Sequence, residues 1–308
     1  GRSLAIQEEL GDKRGMGQSL NNIGIVHSNK GDYEKALDYY GRSLSINEEL
    51  GDKSGMGYSL NSIGLLHYNR GEYDTALEYY DRSLKIQEEI GDKRGIEHCV
   101  YNIGLVYTKK GNYLKSIDYF KQSIELNKIM NVPFQIRWAS ATTAKYFFIM
   151  GMYDEAMVLY KEIVNLSILL NDEEYLAKVY VRMAGIHYFQ KDFTKLEEYL
   201  KKSLAIQKEI GLKAIELETT TYLYLTYTHL GKDYDEKHLH SLIKDAENIE
   251  FEINFRIYEL LDDKSYLEAA YKQVQDKASE MEEAKKYLSY PIPKAIVEEY
   301  NKIKKDKN

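Results

Sequence analysis

The sequence is poor in the residues that most often announce chemistry or a special compartment. It has one cysteine, Cys99, in 308 residues, so no disulfide can form within the chain. That fits a reducing, cytoplasmic setting. With no His–Asp or His–Asn arrangement around it, Cys99 reads as a small buried residue rather than a nucleophile. Only three prolines occur, Pro133, Pro291 and Pro293, so long stretches run without a helix breaker. No run of about 18 apolar residues is present, which excludes a membrane-spanning helix on hydropathy grounds, and no signal-peptide pattern is visible. Positive charge is also in deficit. The net charge is −7, where general nucleic-acid binding usually relies on a basic face. No metal cluster, nucleophile or acid–base pair stands outside the pattern described next, so neither catalysis nor a cofactor is expected.

What the chain does hold is repetition. Gly11-Asp12-Lys13 returns as Gly51-Asp52-Lys53 and Gly91-Asp92-Lys93, at intervals of 40 residues. Arg2-Ser3-Leu4 returns at Arg42 and Arg82, and loosely at Gln122. Gly31-Asp-Tyr33 is matched by Gly71-Glu-Tyr73, Gly111-Asn-Tyr113 and Gly151-Met-Tyr153, while in the fifth copy Lys191 replaces the glycine and Phe193 the tyrosine. Each unit carries two helical patterns. Leu20, Ile23, Gly24 and His27 fall on one helix face, and Tyr33, Ala36, Tyr40 and Leu44 on another. Gly31 can end the first helix in the left-handed conformation and Asp32 can cap the second. Small residues at Gly24 and Ala36 let the two helices approach closely.

This pattern resembles the tetratricopeptide repeat family, on Leu20…Ile23-Gly24…His27…Gly31…Tyr33…Ala36…Tyr40 and its copies. The usual unit has about 34 residues; the longer unit here is similar to that of Pins-type adaptors, kinesin light chains and prokaryotic regulators. The resemblance implies an all-α fold, a right-handed superhelical solenoid of stacked antiparallel helix pairs. It covers residues 1–285: a half-repeat 1–10, then repeats 11–50, 51–90, 91–130, 131–170, 171–210, 211–249 and 250–285. Residues 286–308 are expected to form a linker and an amphipathic capping helix, over about 294–306, with a basic tail. Because Gly1–Leu4 corresponds to the middle of a second helix, the native protein is expected to extend upstream. The uncapped half-repeat would then offer an apolar face for self-association.

In that family the first helix of each unit lines the concave surface, and spacing picks out the groove positions. In the first three repeats these include Gln18, Asn21 and Asn22; Tyr58 and Asn61; and His98, Tyr101, Asn102 and Lys109. Repeat four contributes Trp138 and Lys145. Repeat five contributes Lys178, Val181, Arg182, Gly185 and Phe189, and repeat six Glu218, Thr221, Tyr222, Leu225 and His229. Four bases against one acid, interleaved with aromatics, suit a protein or peptide ligand that is acidic with apolar anchors. Asparagines offer donor and acceptor to a peptide backbone. Lys178 and Arg182 lie one turn apart; they can grip a ligand carboxylate or be neutralised by neighbours such as Glu218. The reading is a non-catalytic interaction scaffold, with no nucleic acid and no membrane as partner. The alternative is a sensory or regulatory segment of a larger prokaryotic signalling protein.

Several features invite sharper readings that the period dissolves. His27, His67 and His187 share a slot with Tyr107, Phe147 and Tyr227, so that slot is an aromatic packing position rather than a metal ladder. Glu8-Glu9, Glu48-Glu49 and Glu88-Glu89 recur at the same interval, which a catalytic pair has no cause to do. GDKRGMGQSLNNIG at 11–24 lacks the order of a phosphate-binding loop and reappears at 51–64, so it is a repeat junction.

Overall fold

The computed structural model describes residues 2–305. They are 83% helical, in 17 helices with no strand among the described residues. They form two compact units that divide between Val132 and Pro133. Gly1 and residues 306–308 lie outside the described residues, and with them the last position of the expected capping helix and the end of the basic tail.

The first unit runs α1 (Arg2–Leu10), α2 (Lys13–Asn29), α3 (Tyr33–Leu50), α4 (Lys53–Asn69), α5 (Tyr73–Ile90), α6 (Lys93–Lys109) and α7 (Tyr113–Ile129). Consecutive helices pack on one another as antiparallel pairs, α2 with α3, α4 with α5 and α6 with α7. Local chemistry sets each boundary. Asp12, Asp52 and Asp92 cap α2, α4 and α6, their carboxylates accepting from the Gly15, Gly55 and Gly95 amides at 3.0, 3.0 and 3.2 Å. Gly51 and Gly91 take the left-handed conformation that ends α3 and α5.

The glycines at the junction have a packing cause. A Cβ on Gly17 would lie 2.9 Å from Asn47 Oδ1, and one on Gly55 would lie 2.6 Å from the same amide. Gln87 is held in the same way between Gly57 and Gly95, at 2.4 and 2.3 Å. Each second-helix amide is therefore clasped between the first helices on either side of it. Ser43 and Ser83 add to the seam by donating to the Gly17 and Gly57 carbonyls, both at 2.7 Å. The lone thiol belongs here too: Cys99 Sγ lies 3.2 Å from Ser83 Oγ, and burial pushes it up to about 11, so it is held as an inert thiol.

The second unit runs α8 (Pro133–Ile149), α9 (Tyr153–Leu169), α10 (Glu173–Phe189), α11 (Phe193–Ile210), α12 (Glu216–His229), α13 (Glu236–Asp245), α14 (Phe251–Leu261), α15 (Lys264–Ser279), α16 (Ala284–Leu288) and α17 (Pro291–Lys305). It opens with helix pairs and then departs from them. α14 packs on α12 as well as on α15, and α17 packs on α15. The expected terminal helix begins at Pro291 rather than after Pro293, since proline is tolerated in a first turn where its missing N–H is not needed. Pro291 reaches the turn at Gly151, where an added Cβ would sit 2.8 Å from its ring.

Lys191 holds the left-handed slot that glycine fills elsewhere, with φ 57°. A side chain there costs about 1 kcal/mol. Lys191→Gly is expected to raise the stability of this unit by about that amount, read as a higher midpoint in urea. An unchanged or lower midpoint would show the slot to be unstrained.

The histidine slot is an aromatic packing position throughout. His27, His67 and His187 stack on Tyr39, Tyr79 and Tyr199 at 5.4, 5.3 and 5.5 Å. No group of three potential metal ligands exists among the described residues. The paired glutamates are exposed, and Glu49 and Glu89 form ion pairs with Lys13 and Lys53.

Candidate functional site

The inner helices of the first unit, α2, α4 and α6, line a concavity of about 620 Å³ that holds Gln18, Asn21, Asn22, Tyr58, Asn61 and His98. Its polar groups are largely engaged with one another. Tyr58 donates to Asp92 Oδ2 at 3.0 Å, and the Asn102 amide donates to Asn61 Oδ1 at 3.1 Å. Burial, then Asp92, raises the Tyr58 phenol above its ordinary value. Arg14 meets Asp52 at 3.0 Å. Three positions expected in this groove, Tyr101, Asn102 and Lys109, do not line the cavity; Asn102 is engaged with Asn61. Tyr101 packs its ring 5.2 Å from Phe120, and Lys109 stands exposed at the end of α6. The cavity is thus amide- and hydroxyl-rich, with its one acid beside its arginine.

The second unit contains a different kind of site. One cavity, of about 420 Å³, is lined by Trp138 and Lys145 of α8, Tyr160 of α9, Tyr175, Lys178 and Arg182 of α10, and Glu218 of α12. A second, of about 250 Å³, shares Lys145, Tyr160 and Arg182 and is completed by Phe148, Ile149, Asn248, Glu250, Phe251, Glu252, Gln273 and Lys277. The three shared residues form the wall between the two spaces.

Arg182 donates to Glu218 at 2.6 Å, and Lys178 to Glu174 at 2.5 Å. Glu218 holds the Arg182 guanidinium charged against the cost of burial. Burial raises the Glu218 carboxyl above its ordinary value, opposed by Arg182 and reinforced by Glu252 and Glu250. The Glu218 side chain is 14% exposed and that of Arg182 43%, so the acid lies behind the base. Burial likewise raises the Tyr160 phenol. Lys145 forms no ion pair among the described residues.

Three expectations change here. The surplus of bases does not survive, because Glu250 and Glu252 join Glu218 among the lining residues while Glu174 neutralises Lys178. Val181, Gly185, Thr221, Tyr222 and Leu225, read as facing solvent, are buried. α14 covers α12 there, with Tyr222 donating to Glu252 and Arg256 lying over Tyr188 and Phe189. Finally, Asn248, Glu250, Phe251, Glu252, Gln273 and Lys277 were not read as groove residues. They belong to segments where the 40-residue phase has decayed, and no local signal places them.

The repeat architecture and the sequence agree on the family. Two models described as tetratricopeptide repeat match residues 17–50 and 56–129. The chain is a tetratricopeptide-repeat protein. Folds of this family are in general non-catalytic interaction scaffolds. No curated protein sequence matches the chain at a significant level. Among solved structures, this tetratricopeptide-repeat protein is similar to a signal-transduction ATPase with numerous domains and a tetratricopeptide repeat sensor from Pyrococcus horikoshii, at TM-score 0.66 and 17% identity, over 84% of this chain and 39% of that one. It is also similar to the apo form of RapI, at TM-score 0.63 and 15% identity over 94% and 99% of the two chains. A third is a Rap protein complexed with competence and sporulation factor, at TM-score 0.51 and 15% identity over 96% and 75%. At these identities the likeness is one of fold. No helix among the described residues is long and apolar enough to cross a membrane.

Proposed function

We propose that the protein is a peptide-binding interaction module whose ligand occupies the paired cavities of the second unit. The carrying observation is the shared wall of Lys145, Tyr160 and Arg182, flanked by Trp138 on one side and by Phe148, Ile149 and Phe251 on the other. A concave site with apolar walls and a few convergent charges is the usual form of a specific binding site. Lys145 and Arg182 suit a ligand carboxylate, and the aromatic walls suit its apolar neighbours. The Rap protein solved with a bound factor is consistent with this use of a similar fold.

Trp138 is the only tryptophan in the chain and lines the larger cavity, so its fluorescence reports occupancy directly. The probes are capped peptides in which Glu alternates with Leu and Phe, set against their Gln analogues. The Glu peptides are expected to shift Trp138 emission and to bind at least about tenfold more tightly, a difference of about 1.4 kcal/mol. Lys145→Glu is expected to remove that preference. Equal affinity for both peptide series would overturn the acidic-ligand reading, and no response to either would overturn the site.

A second reading, a sensory segment within a larger signalling protein, is favoured by the Pyrococcus horikoshii neighbour, of which this chain spans 39%. Its test is the sequence flanking these residues in the native gene product. Flanks holding only further repeats would remove it.

A further inference from the structure

The Arg182–Glu218 pair is awkward for a site meant to take an acidic ligand, because the base expected to bind the ligand already holds an acid of its own chain. The surroundings of that acid suggest a use for the arrangement. Glu218 sits on α12 and reaches Arg182 on α10 from behind, with Lys145 of α8 and Tyr160 of α9 also facing the shared wall. Glu250, the N-cap of α14, and Glu252 in its first turn face the same wall, with Lys277 of α15 beyond them. Tyr222, on α12 with Glu218, donates to Glu252, and Lys178 is held by Glu174 on α10. No histidine lines either cavity. Three carboxylates thus crowd one guanidinium in a partly dehydrated space.

We propose that Glu218 is an internal stand-in for the ligand's carboxylate: an acidic ligand displaces it from Arg182, and Glu218 leaves by taking up a proton from solvent. This rests on the peptide-binding reading above. The physical reason is the position of Glu218 after exchange. Its side chain is 14% exposed, so an ionised Glu218 that lost Arg182 would be left largely dehydrated, facing Glu250 and Glu252. Protonation removes that conflict, whereas the ligand's carboxylate keeps its charge and takes over the guanidinium. Burial raises the carboxyl above its ordinary value before any ligand arrives, which lowers the cost of taking up that proton.

The linkage has a definite sign. If binding takes up one proton at Glu218, affinity weakens as pH rises, by up to about tenfold per pH unit. The effect operates above the unbound carboxyl's pKa and below its pKa in the complex. A peptide carboxylate, with an ordinary pKa near about 4, stays ionised through that window. A simple competition between acids without proton uptake has no such slope.

The test is titration of the capped Glu peptides against Trp138 emission from pH 5.5 to 8.5. It is repeated by calorimetry in buffers of different ionisation enthalpy, which counts protons. Wild-type protein is expected to bind more weakly with each unit of rising pH and to take up close to one proton. Glu218→Gln is expected to bind at least tenfold more tightly at pH 7.5 and to lose the slope, because the stand-in no longer competes as an anion. Arg182→Gln is expected to lose affinity at every pH. If the peptides bind and Arg182→Gln weakens them, but Glu218→Gln does not tighten binding and no proton is taken up, the exchange is wrong and the peptide site stands. If no Glu peptide binds wild type or Glu218→Gln at any pH, both fall.

Discussion

Replacing Arg256 with alanine is expected to destabilise the second unit by about 2–5 kcal/mol, the range for truncating a long buried side chain and leaving its void. Arg256 is 3% exposed and donates to Glu259 at 2.5 Å. Its guanidinium lies 4.6, 5.0 and 5.1 Å from the ring centroids of Tyr188, Phe189 and Phe255. Truncation removes a cation from three ring faces, opens a void, and leaves Glu259 with only the Tyr188 hydroxyl, now at 3.0 Å. Replacing both partners, as Arg256→Met with Glu259→Gln, is expected to recover most of the loss, because neither a stranded charge nor a void remains. Urea unfolding followed by Trp138 fluorescence measures this, since Trp138 lies in the same unit. A loss below about 1 kcal/mol for Arg256→Ala would show that the charge is not integral to the packing of α14. The consequence for function is direct. α14 carries Phe251 and Glu252, so a loosened α14 removes one wall of the smaller cavity.

The second large effect concerns two helical glycines, with opposite signs. A Cβ on Gly64 would lie 2.7 and 2.8 Å from Cε1 and Cδ1 of Tyr80. That ring is 1% exposed and packed with Ala76, Ile103 and Val106, so it has nowhere to move. Gly64→Ala is expected to cost about 1–3 kcal/mol through overpacking, after a gain of about 1 kcal/mol in helix propensity has been set against it. Gly41 sits exposed in α3 with nothing within 4 Å of its would-be Cβ. Gly41→Ala is expected to stabilise by up to about 1 kcal/mol. Chemical denaturation of the two variants followed by helical circular dichroism separates them. A stabilising Gly64→Ala would mean that the helix pair can part at no cost. The same contact recurs at Gly24 with Tyr40 and at Gly104 with Phe120, at 2.5 and 2.7 Å, which makes it a property of the repeat.

That recurrence explains why so much of the fold is legible in the sequence. Helix period, Asp caps, glycine ends and the small residue opposite a large ring are all set by near neighbours in the chain, and 40-residue copying states each of them several times. The identity of the ladders followed as well: His27 and His67 proved to be stacked packing residues, as the slot they share with Tyr107 implied. The close contacts at Gly15 and Gly17 are set only by the packed helices. Gly15 meets Asp12, the cap of its own helix, and Gln7 of α1, while Gly17 meets the Asn47 amide of α3.

The candidate site was legible only in part, and the division has a physical cause. Gln18, Asn21, Asn22, Tyr58, Asn61, His98, Trp138, Lys145, Lys178 and Arg182 line cavities, because the period of a first helix sets which residues face inward. What occupies the space in front of them depends on elements far away in sequence. α14, packed on α12, and α15, packed on α14, rather than any local pattern, bring Glu250, Phe251, Glu252, Gln273 and Lys277 to Lys145 and Arg182 across 68 to 132 positions. The charge balance of the site and the burial of Tyr222 and Leu225 come from that docking, whereas the hold of Glu218 on Arg182 joins neighbouring helices of the repeat, α12 and α10. Local rules along the chain determined the helices and the inward face of each. Only the long-range packing of the last helices decided which of those faces stayed open and what charge a ligand would meet there, because electrostatics and solvent access are properties of the assembled space.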